Sequence, residues 1–459
     1  MKHLFKFTFI VTTGCLLFFS CKKNDEKPVN NFAAYFGGSL EGASYPFVLL
    51  VKNHKIIDTL PVSSSKEFGK KFDALIPGMY TLIYGPFREN IFFEKNDRIF
   101  MKITTGDFEN KIAYVGKGSN KNNFLNELLN LVNDEQHDCS FLYSRPYSIF
   151  KTSADSLRDN RRALYLRKKT EYNWDKDFDK YARSVIDYAY YTNLEQYPLS
   201  RLRKEHGTVN DSLPANYYDF RSKVDYNDEA LSNLKPYTGY LALISEIYAG
   251  SSKHHASAET ALTTLRVTDS LITNKIVKNK VAEQLVYSHI LANPAVPPSH
   301  EYIDFFKKIN TDAYQKAHVA DFIKTVNTFR NLKQLPPFDL SDSTGTKFTS
   351  FKSKEGSLIL FWSSGYDALY KKMLEGVSKL RIRQPKLNVY VINTDLDEKS
   401  WRERISTDVT GIIHLRAENF SDLRQKWLIY SPKRALLLHA DGTVKAPYFN
   451  LLDLKDINN

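Results

Sequence analysis

The hydrophobic period of this chain changes twice along its length, and no single repeating architecture accommodates that. A period of two belongs to strands with one buried face, and a period near 3.6 belongs to amphipathic helices. From Asn31 to Gly118 the period is two. Phe47–Val51, Ile56–Leu60, Met79–Tyr84, Ile91–Phe93 and Ile99–Ile103 are short apolar or alternating runs, separated by turn formers such as Pro77-Gly78, Gly85-Pro86 and Thr105-Gly106-Asp107. Regular short strands with turn signals predict an antiparallel β-sandwich over 31–119.

From 120 to 335 the spacing is helical. Phe124, Leu125, Leu128, Leu129 and Val132 mark one helix, Leu157 and Leu164 a second, and Tyr181, Val185 and Tyr188 a third. Further helices are predicted over Tyr237–Tyr248, Ala256–Leu271, Val281–Leu291 and Tyr314–Phe329. The prolines of Asn293-Pro294-Ala295-Val296-Pro297-Pro298 mark a connection between the last two. After Leu335-Pro336-Pro337 the pattern alternates again, over 336–459. A continuous apolar run, Leu358–Trp362, reads as a buried strand. It is followed by a helix at Asp367–Arg383, a strand at Leu387–Ile392, helical stretches at Glu398–Ile405 and Phe420–Trp427, and a hairpin at Ala435–Val444 with a two-residue Asp441-Gly442 turn. The expected architecture is therefore multi-domain: an N-terminal antiparallel β-sandwich, a helical middle segment and a C-terminal α/β fold. A length of 459 residues suits about three domains.

The first residues read as an address. Lys2 and Lys6 precede a largely apolar run from Phe7 to Phe19, too short to span a bilayer, which needs about 20 apolar residues. The run ends in Leu17-Phe18-Phe19-Ser20-Cys21, which resembles the lipobox of bacterial lipoproteins, with Phe18 where leucine is usual and Phe19 where a small residue is common. The resemblance implies a signal peptide over 1–20, acylation of Cys21, and a polar tether over 21–30. An ordinary signal peptide cleaved nearby is the alternative. The expected location is the cell envelope of a Gram-negative bacterium, lipid-anchored to the outer membrane, with the periplasmic or surface face undecided. Removal of 1–20 lowers the formal charge from +12 to +10. Basic runs such as Arg161-Arg162 and Lys168-Lys169 lie among Asp155, Asp159 and Glu171, so a solvated mixed-charge helix is expected and no nucleic-acid partner.

The C-terminal segment carries a second resemblance. Pro337-Phe338-Asp339-Leu340-Ser341-Asp342, Gly345, Leu358–Trp362, Val389–Asn393, Pro432 and Asp441-Gly442 are together similar to the thioredoxin-like thiol-disulfide oxidoreductases of the bacterial envelope, a family that includes reductants of apocytochrome c. The stretch Ile76–Leu82, Phe92–Asp97 and Val115–Ser119 resembles the small β-sandwich found N-terminal to many such lipoproteins. The family's motif after the first core strand is Phe-Trp-Ala-Ser-Trp-Cys-x-x-Cys. Aligned on Phe361-Trp362-Ser363-Ser364, its tryptophan falls on Gly365 and its cysteines on Tyr366 and Leu369. Its cis-proline falls on Pro432, after Ser431.

The chain has three cysteines, Cys15, Cys21 and Cys139, and none lies in this segment. Thiol-disulfide exchange needs an attacking thiolate and a resolving thiol. A phenol and an isobutyl group supply neither, so the alignment implies a redox-inactive fold acting as a binding or assembly module. The expected partner is an unidentified protein or peptide, held in a groove of Trp362, Tyr366 and Ser431, with the membrane reached through the lipid anchor. Two other readings stand beside it. One is a thiol-dependent enzyme built on Cys139 with His137 and Asp138. The other is a family member classed as an oxidoreductase without its dithiol. Tyr188, Tyr190, Tyr191 and Tyr197 either line a groove for a peptide or glycan or pack as core. His254-His255 lacks the i, i+4 spacing that suits zinc, and no phosphate loop, Gly-x-Gly-x-x-Gly or Gly-x-Ser-x-Gly elbow occurs, so no metal and no cofactor is expected.

Overall fold

The computed structural model describes residues 33–451, apart from short segments at 42–44, 53–54, 86, 105–110, 204–212, 251–256, 364–366, 395–397, 408–410, 418, 431–432 and 450. The first eight strands are β1 (Ala34–Glu41), β2 (Phe47–Lys52), β3 (Lys55–Pro61), β4 (Glu67–Phe72), β5 (Gly78–Tyr84), β6 (Phe87–Phe93), β7 (Arg98–Thr104) and β8 (Lys111–Lys117). They form two four-stranded sheets, ordered β4-β1-β7-β8 and β3-β2-β5-β6. One apolar core joins them: Phe36, Leu40 and Ile99 come from the first sheet, and Val48, Leu82 and Ile91 from the second. The fully antiparallel expectation is corrected at one place. β1 pairs with β7 in parallel, Tyr35 opposite Arg98, because the first strand is inserted between β4 and β7. That central position also explains Gly38, where a Cβ would lie 2.1 Å from the Met101 carbonyl oxygen.

Helix α1 (Ser119–Leu142) begins immediately after β8, and its first turn fastens both sheets. Asn122 accepts from the Phe92 amide (2.7 Å) and donates to the Phe92 carbonyl (2.9 Å). Asn123 repeats the pattern on Tyr114, accepting at 3.0 Å and donating at 2.8 Å. β6 and β8 are the edges of their respective sheets, so each asparagine supplies the hydrogen bonds a neighbouring strand would have made. In the same turn, buried Lys121 bridges Asp97 (3.0 Å) and Glu94 (2.8 Å).

The helical part continues with α2 (Tyr147–Tyr172), α3 (Lys176–Arg203), a 3₁₀ turn at Tyr217–Lys223, α4 (Lys235–Tyr248), α5 (Ala258–Leu271), α6 (Lys275–Ala292), α7 (His300–Ile309) and α8 (Ala313–Arg330). Sequence periodicity misses α7, which opens straight after the proline-rich connection, where Ser299 caps it by accepting from the Tyr302 amide (3.3 Å). Arg161 also departs from expectation. It is 2% exposed, not part of a solvated face, and donates from Nε to Glu135 of α1 at 2.8 Å.

The C-terminal part comprises β9 (Leu340–Asp342), β10 (Ser357–Trp362), α9 (Asp367–Arg383), β11 (Asn388–Asn393), α10 (Glu398–Thr407), β12 (Ile412–Ala417), α11 (Phe420–Lys426), β13 (Ala435–Leu438) and β14 (Val444–Phe449). The sheet order is β14-β13-β10-β11-β12-β9, with β10, β11 and β12 parallel and β13 antiparallel to β10. Ile359 and Phe361 face a core shared with the helices, while Leu358, Leu360 and Trp362 pack with Tyr370, Met373 and Val377 of α9. Burial on both faces explains the unbroken apolar run. The final hairpin is longer than expected, because residues 439–443 all lie outside its strands, with the His439 amide bonded to the Thr443 carbonyl (2.8 Å).

The α/β part is fastened to the helices. The Val444 amide donates to the Lys333 carbonyl just after α8 (2.8 Å), and Trp427 donates to the Pro336 carbonyl in the segment that connects the two parts (2.9 Å). Arg434, 9% exposed, lies between the Phe329 ring of α8 (4.8 Å) and the Tyr448 ring of β14 (4.5 Å). Its guanidinium donates to the carbonyls of Leu428 and Pro447.

Candidate functional site

The parallel strands β10 and β11 end side by side, and such carboxyl ends are where open α/β sheets hold ligands. Here the β10–β11 ladder continues one residue beyond the strands. Thr394, following β11, donates from its amide (2.9 Å) and its hydroxyl (3.1 Å) to the Trp362 carbonyl. Ser363, Asn393 and Thr394 are all buried. Trp362 is 3% exposed and tilts against Tyr370 with ring centroids 6.1 Å apart, so it belongs to the core instead of walling an open groove. Leu369 is partly buried and packs against that same cluster. Its aliphatic side chain has no proton to exchange and no electron pair to donate.

Tyr366, Ser431 and Pro432 lie outside the described residues, as do Cys21 and the His254-His255 pair. Cys139 lies within α1, three residues before its last residue. The side chains of His137, Asp138 and Cys139 lie outside the described ones. Consecutive helical positions are about 100° apart around the axis, so a helix does not bring three neighbours to one point. Among the described residues there is no group of three or more His, Cys, Asp or Glu side chains placed to hold a metal, and no helix is long and apolar enough to cross a membrane.

Neither a protein-family model nor a curated protein matches the chain. Solved structures resemble it in part. The thioredoxin domain of a thiol-disulfide oxidoreductase from Bacteroides vulgatus is 18% identical, with a TM-score of 0.23, over 26% of this chain and 91% of the other. A thiol:disulfide interchange protein from a Bacteroides species is 19% identical, with a TM-score of 0.22, over 25% and 79%. A thioredoxin-like protein from Bacteroides caccae is 13% identical, with a TM-score of 0.31, over 56% and 90%. The neighbours are thioredoxin-like.

The tyrosines of α3 are mostly core. Tyr188, Tyr190, Tyr191 and Tyr197 are each at most 8% exposed. Tyr197 stacks on Phe150 at 4.1 Å and donates to the Arg145 carbonyl (3.0 Å), while the Tyr188 ring meets Tyr237 edge-on at 4.9 Å. Burial pushes the phenols of Tyr188 and Tyr237 far above their ordinary range, which keeps them neutral. Tyr190 differs in part, because its hydroxyl donates to Asp155 at 2.7 Å. Burial acts to raise the Asp155 carboxyl, but donation from Lys151 and Tyr190 outweighs it and holds the group below the usual carboxylate range. Tyr190 and Tyr191 also line a surface cleft of about 360 Å³ between α2, α3 and the 3₁₀ turn. Sequence reasoning missed that cleft. Its one sequence signal is the row Lys151, Arg158 and Arg162 along α2, which spacing alone does not distinguish from a solvated face.

Proposed function

We propose that this protein is a membrane-anchored envelope lipoprotein whose C-terminal α/β part is a redox-inactive thioredoxin-like module, used for binding or assembly and not for thiol-disulfide exchange. The observation that carries this is the cysteine distribution. No cysteine follows Cys139, so the segment after β10, where the resembled family carries its dithiol, has none. Exchange requires a thiolate that attacks and a second thiol that releases the mixed disulfide, and serine, tyrosine and leucine perform neither step. The fastening of this part to the helices through Arg434 and Val444 supports a fixed placement. Cys21 is the proposed acylation site, and Tyr366, Ser431 and Pro432 the proposed contact region for a peptide or protein partner.

The test is reduction of insulin disulfides by the purified protein with dithiothreitol as the electron source. No turnover above the dithiothreitol background is expected, and the Cys139→Ala variant should be indistinguishable from wild type. Turnover by the wild type overturns the redox-inactive reading. Turnover that vanishes in Cys139→Ala transfers the chemistry to that thiol. Incorporation of labelled palmitate that is lost in Cys21→Ala tests the anchor separately.

A further inference from the structure

The cleft beside Tyr190 contains a cation unlike its neighbours. Lys151 lies 2.5 Å from Asp155, and Arg162 3.3 Å from Asp187 of α3, so each already faces a carboxylate. Arg158, two turns after Lys151 and one turn before Arg162, has no such bond. Its guanidinium lies over the Tyr190 ring at 4.4 Å, and its Nε is buried with no hydrogen-bond partner among the described residues. A buried N–H without an acceptor is costly, and a bound acceptor removes that cost. Stacking on tyrosine also fixes the plane of the guanidinium, which pre-organises the fork that recognises planar or tetrahedral oxyanions. Across the opening, exposed Lys223 adds a second cation from the 3₁₀ turn.

We propose that this cleft binds the oxyanion head of a small ligand, a carboxylate or a phosphate, with Arg158 as the principal donor and Lys223 as its electrostatic support. The volume of about 360 Å³ lies at the small end of ligand pockets, which run from about 300 to 1,000 Å³. The charge balance sets the ligand class. The lining holds four cations, Lys151, Arg158, Arg162 and Lys223, against Asp187 and Asp219, and Asp155 is bonded to Lys151 and acts at longer range on Arg158, so the site has a local excess of positive charge and not an extended basic face. Such a face is what a nucleic-acid backbone or an anionic bilayer needs. Beyond the Arg162 and Asp187 pair lies a second, more apolar cavity of about 240 Å³ bordered by Tyr165, Leu166 and Ile186, with Arg183 also on its wall. It offers room for an apolar body attached to the charged head.

The experiment is calorimetric titration of the purified protein with inorganic phosphate and, separately, with succinate, each at fixed ionic strength set by chloride. Saturable one-site binding of at least one probe is expected. Phosphate alone identifies a phosphate head, succinate alone a carboxylate head, and both the shared oxyanion chemistry. Arg158→Gln should weaken binding roughly tenfold and Lys223→Gln a few-fold, with Lys324→Gln on α8 unchanged. If Arg158→Gln fails to fold, the exposed Lys223→Gln decides. Absence of saturable binding of both probes by the wild type overturns the proposal. So does unchanged affinity in every folded variant, or an equal loss in Lys324→Gln.

Discussion

Asn122 and Asn123 make the same pair of hydrogen bonds from adjacent positions of one helix, and differ in access to water. Asn122 is 1% exposed and its partner Phe92 is fully buried, whereas the Asn123 side chain is exposed at the surface. Substitution by alanine strips two main-chain groups of their partner in each case. For Asn122→Ala, water cannot reach the Phe92 amide and carbonyl, and each buried group left unmade costs about 1–3 kcal/mol. Alanine recovers about 0.6 kcal/mol through better helix propensity. The net expectation is a loss of about 3 kcal/mol. For Asn123→Ala, water replaces the side chain at Tyr114, so only the small net worth of two made bonds is lost, about 1 kcal/mol after the same propensity gain. The helix-propensity gain is common to both and cancels in the comparison. Urea denaturation followed by far-ultraviolet circular dichroism measures the difference, expected near 2 kcal/mol. Hydrogen exchange at the Phe92 amide should accelerate roughly 30-fold more in Asn122→Ala than in Asn123→Ala. Equal costs would refute the argument, because they would mean that edge capping, and not exclusion of water, sets the energy.

Two further outcomes test charges that burial disfavours. Burial holds the Arg434 guanidinium down at about 10, and its hydrogen bonds go to carbonyls. Arg434→Met should lower stability by about 2 kcal/mol, since lost charge-assisted bonds outweigh relief of desolvation. Tryptophan fluorescence reads this well, because Trp362, Trp401 and Trp427 all belong to the α/β part, and a variant at least as stable as wild type refutes the clamp. Burial pushes the Glu89 carboxyl up to about 7, with Lys235 pulling it down. A folded pKa above the unfolded value means that the native state holds an extra proton in the window between them, so stability falls as pH rises from about 4.5 to 7. Glu89→Gln should match wild type near pH 4 and exceed it by at most about 3 kcal/mol at pH 8, and an advantage that is independent of pH would sink the assignment.

What the sequence reveals depends on whether the signal is local. β2, β5 and β10 are legible because their apolar residues follow the pleat or fill it, and the bounds of α9 are given by sequence alone. β1 is not, because Gly37 and Gly38 dilute its pattern for the sake of close backbone approach. β4 shows only Phe68 and Phe72 among lysines and a glutamate, a spacing of four that does not read as a strand. α7 is hidden by the three prolines before it. Arg161 illustrates the general limit: its charge and its neighbours suggest solvent, and only Glu135, on another helix, explains its burial. The cleft at Arg158 arises the same way, from two helices and a turn that no local pattern brings together. The cysteine argument needs no tertiary information, since a residue type absent from a segment is absent in every fold.

Two features of the α/β part bear on its proposed role as a module. Its sheet is covered on both faces, and one of those faces merges with the helical core through Phe329, Trp427 and Leu436. At its strand ends Thr394 bonds the Trp362 carbonyl, and Ser363, Asn393 and Thr394 are buried. A thiol carrier needs a reactive group exposed at the strand ends, whereas here the described residues at that place are buried and bonded. The contact region proposed above, Tyr366, Ser431 and Pro432, belongs in sequence to the segments that follow β10 and precede β13. The cleft of Arg158 lies on α2 and α3, part of the helical core on which the α/β sheet is seated. Loss of the anion site and loss of the strand-end contact should be separable by mutation, because no residue is shared between them.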